Sequence, residues 1–431
     1  MAPWPEAFLT RMAGQLGDEL PAFLNALEEP CQRGIRLNPR KQAQQQPQGL
    51  WEPVPWAENG YYLSPESNAG AVPLHEAGAW YLQEPSAMLP AAVLAPQPGE
   101  KVLDLCAAPG GKSTQLAAAM AGQGLLVCNE PVSKRALILS RNIERMGITN
   151  ALVVSAMPDK LAARWPEGFD ALQVDAPCSG EGMFRRHPET RAEWSPENAA
   201  GCAKRQAEIL DAAALLVRPG GRMVYSTCTL NPVENEDTVA AFLQQHSDFT
   251  LTPFHLPGAD APEGMLTCYP HRMRGEGHFV ALLHRQGDGT AKLPLDTSLP
   301  TPSKDQRQVY EHFAGRYAPA PTHLLGEALV SLPDCPDVRG LKVMRCGLHL
   351  GSVKGKLFQP DHAWAAADVS PDFPHVILTD EQAVLYLRGE ALAVPDTLKG
   401  WVLAEYGGLC LGWGKCSGGQ MKNHYPKGLR R

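Results

Sequence analysis

The chain has 431 residues, 44% of them hydrophobic and 20% charged, with a formal net charge of −7. That length allows roughly two to four domains and a full core without metal or disulfide staples. The 40 glycines and 39 prolines stay below low-complexity levels, so collagen, coiled coil and wholesale disorder are excluded. No apolar run approaches the ~18 residues of a membrane span, and Met1–Asp18 lacks the basic start and apolar core of a secretory signal. The eleven cysteines are odd in number and form no CxxC pair, which argues against a disulfide scaffold or a zinc site. A reduced, cytoplasmic protein without metal is expected.

The acidic balance argues mildly against nucleic acid, but its distribution softens this. Arg33, Arg36, Arg40 and Lys41 cluster without an acid, and residues 401–431 hold Lys415, Lys422, Lys427, Arg430 and Arg431 against Glu405 alone. Two basic ends on an acidic body can form a local binding footprint.

In chain order, Phe8, Met12, Leu16 and Leu20 recur at helical spacing, and Phe23, Leu24 and Leu27 follow Pro21. From Lys101 strands and helices alternate. Lys101–Leu105, Leu125–Cys128, Ala151–Val154, Phe169–Val174 and Arg222–Ser226 read as strands. Helices are expected from about Lys112 to Met120, from a Ser133 cap to Gly147, and over Ala200–Val217, the last ending at Pro219-Gly220-Gly221. This alternation predicts a parallel α/β sheet, with Phe249–Leu251 and Phe279–Leu283 as an antiparallel edge. Residues 286–303 have a linker composition, and 304–431 read as a separate small α+β unit.

Asp104-Leu105-Cys106-Ala107-Ala108-Pro109-Gly110-Gly111-Lys112-Ser113 is a strand end, a glycine turn and a helix start. Glycines let backbone amides approach a ligand, and a helix N-terminus favours an anionic group. The P-loop pattern fails because position 106 is Cys, and GxGxxG is absent. Glu130 lies nineteen residues after Gly111 at the next strand end, where an acid can accept both ribose hydroxyls of an adenosine. A cofactor with a ribose and no phosphates fits, such as S-adenosylmethionine.

Asp175-Ala176-Pro177-Cys178 follows one expected strand and Ser226-Thr227-Cys228-Thr229 another. In a doubly wound sheet both thiols would reach the crevice of the glycine loop. Methylation of a pyrimidine at carbon 5 needs this set. A thiolate adds at carbon 6, a carboxyl group favours the addition at ring nitrogen 3, and a base then removes the carbon 5 proton. Lys112 or Arg185 could lower a thiol pKa electrostatically.

These motifs, with Asn231-Pro232-Val233-Glu234-Asn235-Glu236, resemble the Nop/Sun family of RNA cytosine-5 methyltransferases over residues 81–285. Gly182-Met183-Phe184-Arg185 and the Gly412–Lys415 and Lys422–Lys427 tail resemble its bacterial RsmF-type branch, as does Arg36-Leu37-Asn38, an N-terminal RNA-side motif there. Asn231 itself reads as a helix N-cap followed by Pro232.

The resemblance implies a Rossmann-like methyltransferase core at 81–285, an N-terminal RNA-side region at 1–80, and a PUA-like RNA-binding region within 304–431. It implies S-adenosylmethionine as cofactor and 16S rRNA or the small ribosomal subunit as partner of a monomer. Cys228 becomes the nucleophile. Cys178 assists product release, and Asp175 contacts the target base near the cofactor. Cys106, Ala107, Ala108, Pro109, Gly110, Gly111 and Lys112 hold the methionine end, and Glu130, with Arg135 nearby, holds the ribose. The family often places an acid or Asn near the adenine where this chain has Met157, with Asp159 close by. A transfer-RNA methyltransferase, a DNA cytosine methyltransferase with Cys178 as nucleophile, and an inactive ribosome-assembly factor are the alternatives. Lys354, Lys356, Lys342, Arg339 and Arg345 form the expected RNA surface. His187 reads as part of a basic loop, and Trp51, Trp56, Tyr61, Tyr62 and Tyr425 mostly as core packing.

Overall fold

The computed structural model describes residues 4–294, 298–315, 318–367 and 373–430. Its first elements are two helices, α1 (Glu6–Leu16) and α2 (Leu20–Glu28). The helical spacing seen in the sequence has a partner. Phe8, Met12, Phe23 and Leu27 pack on Phe184, Trp194, Leu230 and Tyr269 of the core that follows. A small antiparallel sheet of strands 34–37, 50–53, 60–63 and 80–82 leads into that core.

The core is a mixed sheet. Its parallel strands are β1 (Lys101–Asp104), β2 (Leu125–Asn129), β3 (Ala151–Ser155), β4 (Phe169–Asp175) and β5 (Val217–Thr227). They lie in the order β5-β4-β1-β2-β3. The near-continuous burial of Val102, Leu126, Val127, Leu152, Val153, Leu172 and Val174 is what a parallel sheet covered on both faces requires. Beyond β5 come the expected antiparallel strands, β6 (Phe249–Leu251) and β8 (His278–Arg285), with β7 (Met265–Cys268) also on β8. Helices α3 (Gly111–Ala119), α4 (Ser133–Arg145), α5 (Pro158–Arg164), α6 (Pro196–Leu216) and α7 (Glu236–Gln245) accompany the sheet.

Three local expectations need correction. Ser133 is the first residue of α4 rather than its cap, and its hydroxyl instead meets those of Ser155 and the Lys342 ammonium. Helix α6 starts at Pro196, capped by the Ser195 side chain, and ends at Leu216. Pro219-Gly220-Gly221 lies within β5, where Gly220 takes a left-handed φ of 74°. Asn231 turns the chain by accepting from the Val233 amide, and α7 begins only at Glu236.

The 304–431 region is α+β but does not stand apart. Its strand β9 (Lys342–Cys346) pairs antiparallel with β3 and extends the central sheet. Val330, Leu332, Cys335, Val338 and Cys346 enter the same core cluster as Trp165 and Phe169. The expected linker passes along the core, where Ala291 accepts from Lys101 and Pro294 from the Asp337 amide. Its residues 295–297 lie outside the described residues. Two further sheets complete this region. No described helix is long and apolar enough to cross a membrane.

Candidate active site

Strands β1, β2, β4 and β5 are parallel neighbours, so their carboxyl ends open on one side of the sheet. The sequence motifs all sit there. The turn after β1 leads into α3, with Gly110 at φ 112°. A Cβ on Gly110 would be strained at this φ and lie 3.1 Å from a Leu139 methyl, so that position demands glycine, while one on Gly111 would lie 3.3 Å from the Tyr81 ring, a tight fit. The turn is tied down by Asn129, which bonds the Leu105 carbonyl at 3.0 Å and the Ala156 amide at 3.1 Å, while the Asn129 carbonyl accepts from Ala107 at 2.8 Å.

Below it, Asp104 is fully buried and accepts from Ser113 at 2.6 Å. Burial pushes its carboxyl up to about 7, against the Ser113 hydrogen bond. Burial likewise pushes the Cys106 thiol well above its ordinary range, helped by the negative field of Asp104. Cys106 is therefore a neutral wall of the turn.

Glu130 directly follows the second strand and is buried. One oxygen accepts from the Val132 amide at 2.9 Å, and the other lies 3.2 Å from Arg135. Arg135 also donates to the Ala108 carbonyl at 3.0 Å, joining the acid to the glycine turn. Met157 follows β3 and is 56% exposed. Asp159 is exposed in the first turn of α5.

Lys112 and Asp175 bridge the glycine turn and the cysteine strands. The ammonium lies 2.8 Å from Asp175 Oδ2, and Ser226 donates to Oδ1 at 2.9 Å. Burial alone would raise the Asp175 pKa, but Lys112, His278 and the two hydrogen bonds outweigh it and hold the carboxyl below its ordinary value. Burial opposes the Lys112 charge in the same way, yet Asp175, Cys228 and Asp104 keep its pKa above the usual lysine value. Cys178 Sγ and Cys228 Sγ lie 3.3 Å apart. The hydrogen bond to Cys228, then burial, then the Cys228 charge drive the Cys178 pKa far up. Cys178 therefore keeps its proton beside the Cys228 sulfur.

Other residues complete this site: Glu234 lay within the family-like motif without a role, and His278 and Arg11 carried no sequence signal. Glu234 is fully buried and accepts from the Ser179 amide at 2.9 Å, the Ser179 hydroxyl, and Gln206 at 3.0 Å. It fixes the loop that presents Cys178. His278 is buried, with Nε2 3.8 Å from Asp175 Oδ1, and burial pushes its pKa down to about 3. It is a neutral imidazole beside the carboxylate. Arg11 of α1 pairs with buried Glu181 at 2.6 Å and donates to the Leu230 carbonyl at 3.1 Å, bracing both cysteine loops from the N-terminal helices.

Other expectations are relocated. Arg185 does not serve the thiols. It pairs with Glu276 at 2.7 Å and donates to the Ala26 and Gly275 carbonyls. Arg36 and Asn38 do not face an RNA surface. Arg36 is 3% exposed and donates to Gln83, the Gly111 carbonyl and Thr114, all at 2.7 Å. Asn38 bonds the Gly78 and Met146 carbonyls. Both lock the N-terminal sheet onto the core. Trp56, Tyr62 and Tyr425 are buried as expected, whereas Trp51 is exposed beneath Arg274. His187 is exposed beside Glu189. Arg345 is buried against Glu144, and Arg339 pairs with Asp337, so neither forms part of an open basic face.

A Rossmann-like sheet, a glycine turn and an acid on the next strand define this as a methyltransferase core. The model for 16S rRNA methyltransferase RsmB/F matches residues 91–284. Models for the RsmF N-terminal domain, first C-terminal domain and PUA domain match 4–85, 310–367 and 373–431. The ribosomal RNA small subunit methyltransferase F of Aliivibrio fischeri is 32% identical over 99% of this chain and 98% of its own. That of Escherichia coli O81 is 34% identical over 99% of this chain and 97% of its own. A methyltransferase homolog protein from Pyrococcus horikoshii superposes with a TM-score of 0.57 at 28% identity, over 65% of this chain and 95% of that one. NSun6 from Pyrococcus horikoshii shares the fold, with a TM-score of 0.59 at 20% identity over 66% of this chain and 99% of that one. The chain belongs to the RsmF family of 16S rRNA methyltransferases.

Proposed function

We propose that this protein methylates carbon 5 of a cytosine in 16S rRNA, with S-adenosylmethionine as methyl donor. The observation that carries the proposal is the juxtaposition of the Cys178 and Cys228 sulfurs at 3.3 Å, beside an Asp175 that Lys112 links to the glycine turn. The site fits the donor in its chemistry. Glu130 offers carboxylate oxygens to ribose hydroxyls, and the turn from Cys106 to Lys112 offers amides to a carboxylate. When bound, the donor supplies an electrophilic methyl group on a sulfonium.

The chain's own residues do the rest. Cys228 adds to carbon 6 of the ring, which makes carbon 5 nucleophilic. Asp175, held as a carboxylate, accepts from the ring amino group and, once nitrogen 3 has taken up the proton that Cys178 gives up, from that nitrogen, and so stabilises the charge of the activated ring. Cys178 begins as a thiol because Cys228 bonds to it and repels its ionisation. Once Cys228 is bound to carbon, its hydrogen bond and charge no longer raise the Cys178 pKa and burial alone still does, so Cys178 can pass its proton by way of solvent to ring nitrogen 3 and then accept the one leaving carbon 5. Loss of that proton expels Cys228 and frees the methylated base. Relatives across nearly the whole chain are named as small-subunit rRNA methyltransferases, which supports 16S rRNA over transfer RNA.

The proposal is tested by incubating the protein and methyl-labelled donor with 16S RNA and with transfer RNA, then digesting to nucleosides. Labelled 5-methylcytidine from 16S RNA alone is expected. Label on another nucleoside, or only on transfer RNA, would overturn it.

A further inference from the structure

Cys178 and Cys228 are 50 positions apart in sequence, yet their sulfurs lie 3.3 Å from each other. The loops that carry them run side by side. The Gly182 amide donates to the Cys228 carbonyl at 2.9 Å, and the Ser179 and Thr229 hydroxyls meet at 2.9 Å. The sulfurs need to close by roughly 1.2 Å to reach the ~2.05 Å of a disulfide. Both cysteines are half-buried rather than sealed in the core.

A second close pair gives the contrast. The Cys335 and Cys346 sulfurs lie 3.7 Å apart, but these residues are 1% and 0% exposed within the central core. Proximity is common to both pairs, and access is not. Oxidation of a cysteine follows its thiolate character and its exposure. A sulfur that can add to a ring carbon also attacks a small electrophilic oxidant. Cys178, which keeps its proton beside Cys228, is placed to resolve the product.

We propose that Cys178 and Cys228 form an oxidative modification site, which a peroxide converts to a disulfide and a dithiol restores. Cys228 gives up its proton and attacks one peroxide oxygen. The O–O bond breaks, the departing hydroxide takes a proton to become water, and Cys228 is left as a sulfenic acid. The Cys178 sulfur then attacks the Cys228 sulfur. The S–S bond forms, the S–O bond breaks, and the Cys178 proton leaves with that hydroxyl as a second water. Each sulfur loses one electron and the peroxide gains two.

In the bridged form Cys228 cannot add to carbon 6, so methyl transfer stops. That consequence rests on Cys228 being the nucleophile proposed above, whereas the bridge itself does not. The donor site should be spared, because Glu130 and the glycine turn have their own supports in Val132, Arg135 and Asn129.

The test uses the full-length protein, reduced, freed of reductant and exposed to hydrogen peroxide. The chain is then denatured in an alkylating reagent, digested and mapped by mass spectrometry. Joined Cys178 and Cys228 peptides are expected, with Cys335 and Cys346 recovered as separate alkylated peptides. Calorimetry should show unchanged affinity for S-adenosylhomocysteine. Methylation of 16S RNA should fall by about tenfold or more and return with dithiothreitol. In Cys178→Ala, Cys228 has lost its resolving thiol and should pass on to the sulfinic acid, which dithiothreitol does not reverse. Free or separately over-oxidised Cys178 and Cys228 in the wild type would overturn the site, as would a bridge forming first between Cys335 and Cys346. Undiminished methylation by fully bridged protein would establish the bridge and overturn Cys228 as the nucleophile, so the two readings fail separately.

Discussion

Lys112 Nζ lies 2.8 Å from Asp175 Oδ2, joining the first turn of the glycine-loop helix to the end of the strand that leads to Cys178. The pair couples the two halves of the site. Without the ammonium, burial would act on Asp175 with one less opposing charge and its pKa would rise. Lys112→Met is therefore expected to lower kcat about a hundredfold or more and to move the acid limb of the pH–rate profile upward. A profile displaced only in height would show that Lys112 does not set the Asp175 charge.

Glu234 predicts a different failure. It holds Ser179 and Gln206 rather than any reacting atom. Glu234→Ala leaves the Ser179 amide without its acceptor and the Ser179 hydroxyl with Thr229 alone, at a cost of roughly 1–3 kcal/mol, and frees the Cys178 loop. The expected result is a modest fall in Tm with a large fall in turnover. Wild-type turnover in a folded Glu234→Ala protein would remove Glu234 from the account.

Arg36 separates a structural from an RNA-facing role. Its buried guanidinium makes three hydrogen bonds to the core, and burial pushes its pKa down to about 9. Arg36→Ala should destabilise the fold by about 3 kcal/mol or more, and Arg36→Lys should not fully restore it because one ammonium cannot reproduce the planar fork. The salt slope of RNA binding in the folded fraction should be unchanged. A reduced slope with wild-type Tm would return Arg36 to the RNA surface.

Acid should loosen the protein through buried imidazoles. Burial holds His278 and His349 neutral, each with a pKa near 3 against an ordinary 6.5. In the unfolded chain these groups take up protons below about pH 6.5, whereas the folded chain binds them only near pH 3. Their contribution is thus fully present above 6.5 and is lost as pH falls, by about 1 kcal/mol per pH unit per group. His349→Phe should flatten the fall in Tm between pH 6.5 and 5. An equally steep fall in that variant would place the acid lability elsewhere.

What the sequence disclosed follows from how local each signal is. Strand, turn, helix and acid lie in register within residues 101–130, so the glycine turn and Glu130 were legible. Cys178 and Cys228 were placed in one crevice because parallel strands open at their carboxyl ends. Arg185 and Arg345 read as free charges, yet Glu276 and Glu144 take them up across long stretches of chain. Arg36 lost its expected RNA role for the same reason, since its acceptors at Gln83, Gly111 and Thr114 are visible only once the sheets are packed. The amphipathic spacing of residues 8–27 was plain, but not that its apolar face covers Phe184 and Leu230 beside the two cysteines. Strand β9 was hidden because an edge strand recruited from a later region has no marker of its partner.

The central claim is the division of labour between two sulfurs 3.3 Å apart, and trapping the protein–RNA adduct tests it most directly. Cys178→Ala and Cys228→Ala are incubated separately with S-adenosylmethionine and 16S RNA, then resolved on a denaturing gel. The account predicts a covalent adduct that accumulates with Cys178→Ala and is absent with Cys228→Ala. Accumulation with Cys228→Ala instead would make Cys178 the nucleophile and contradict it.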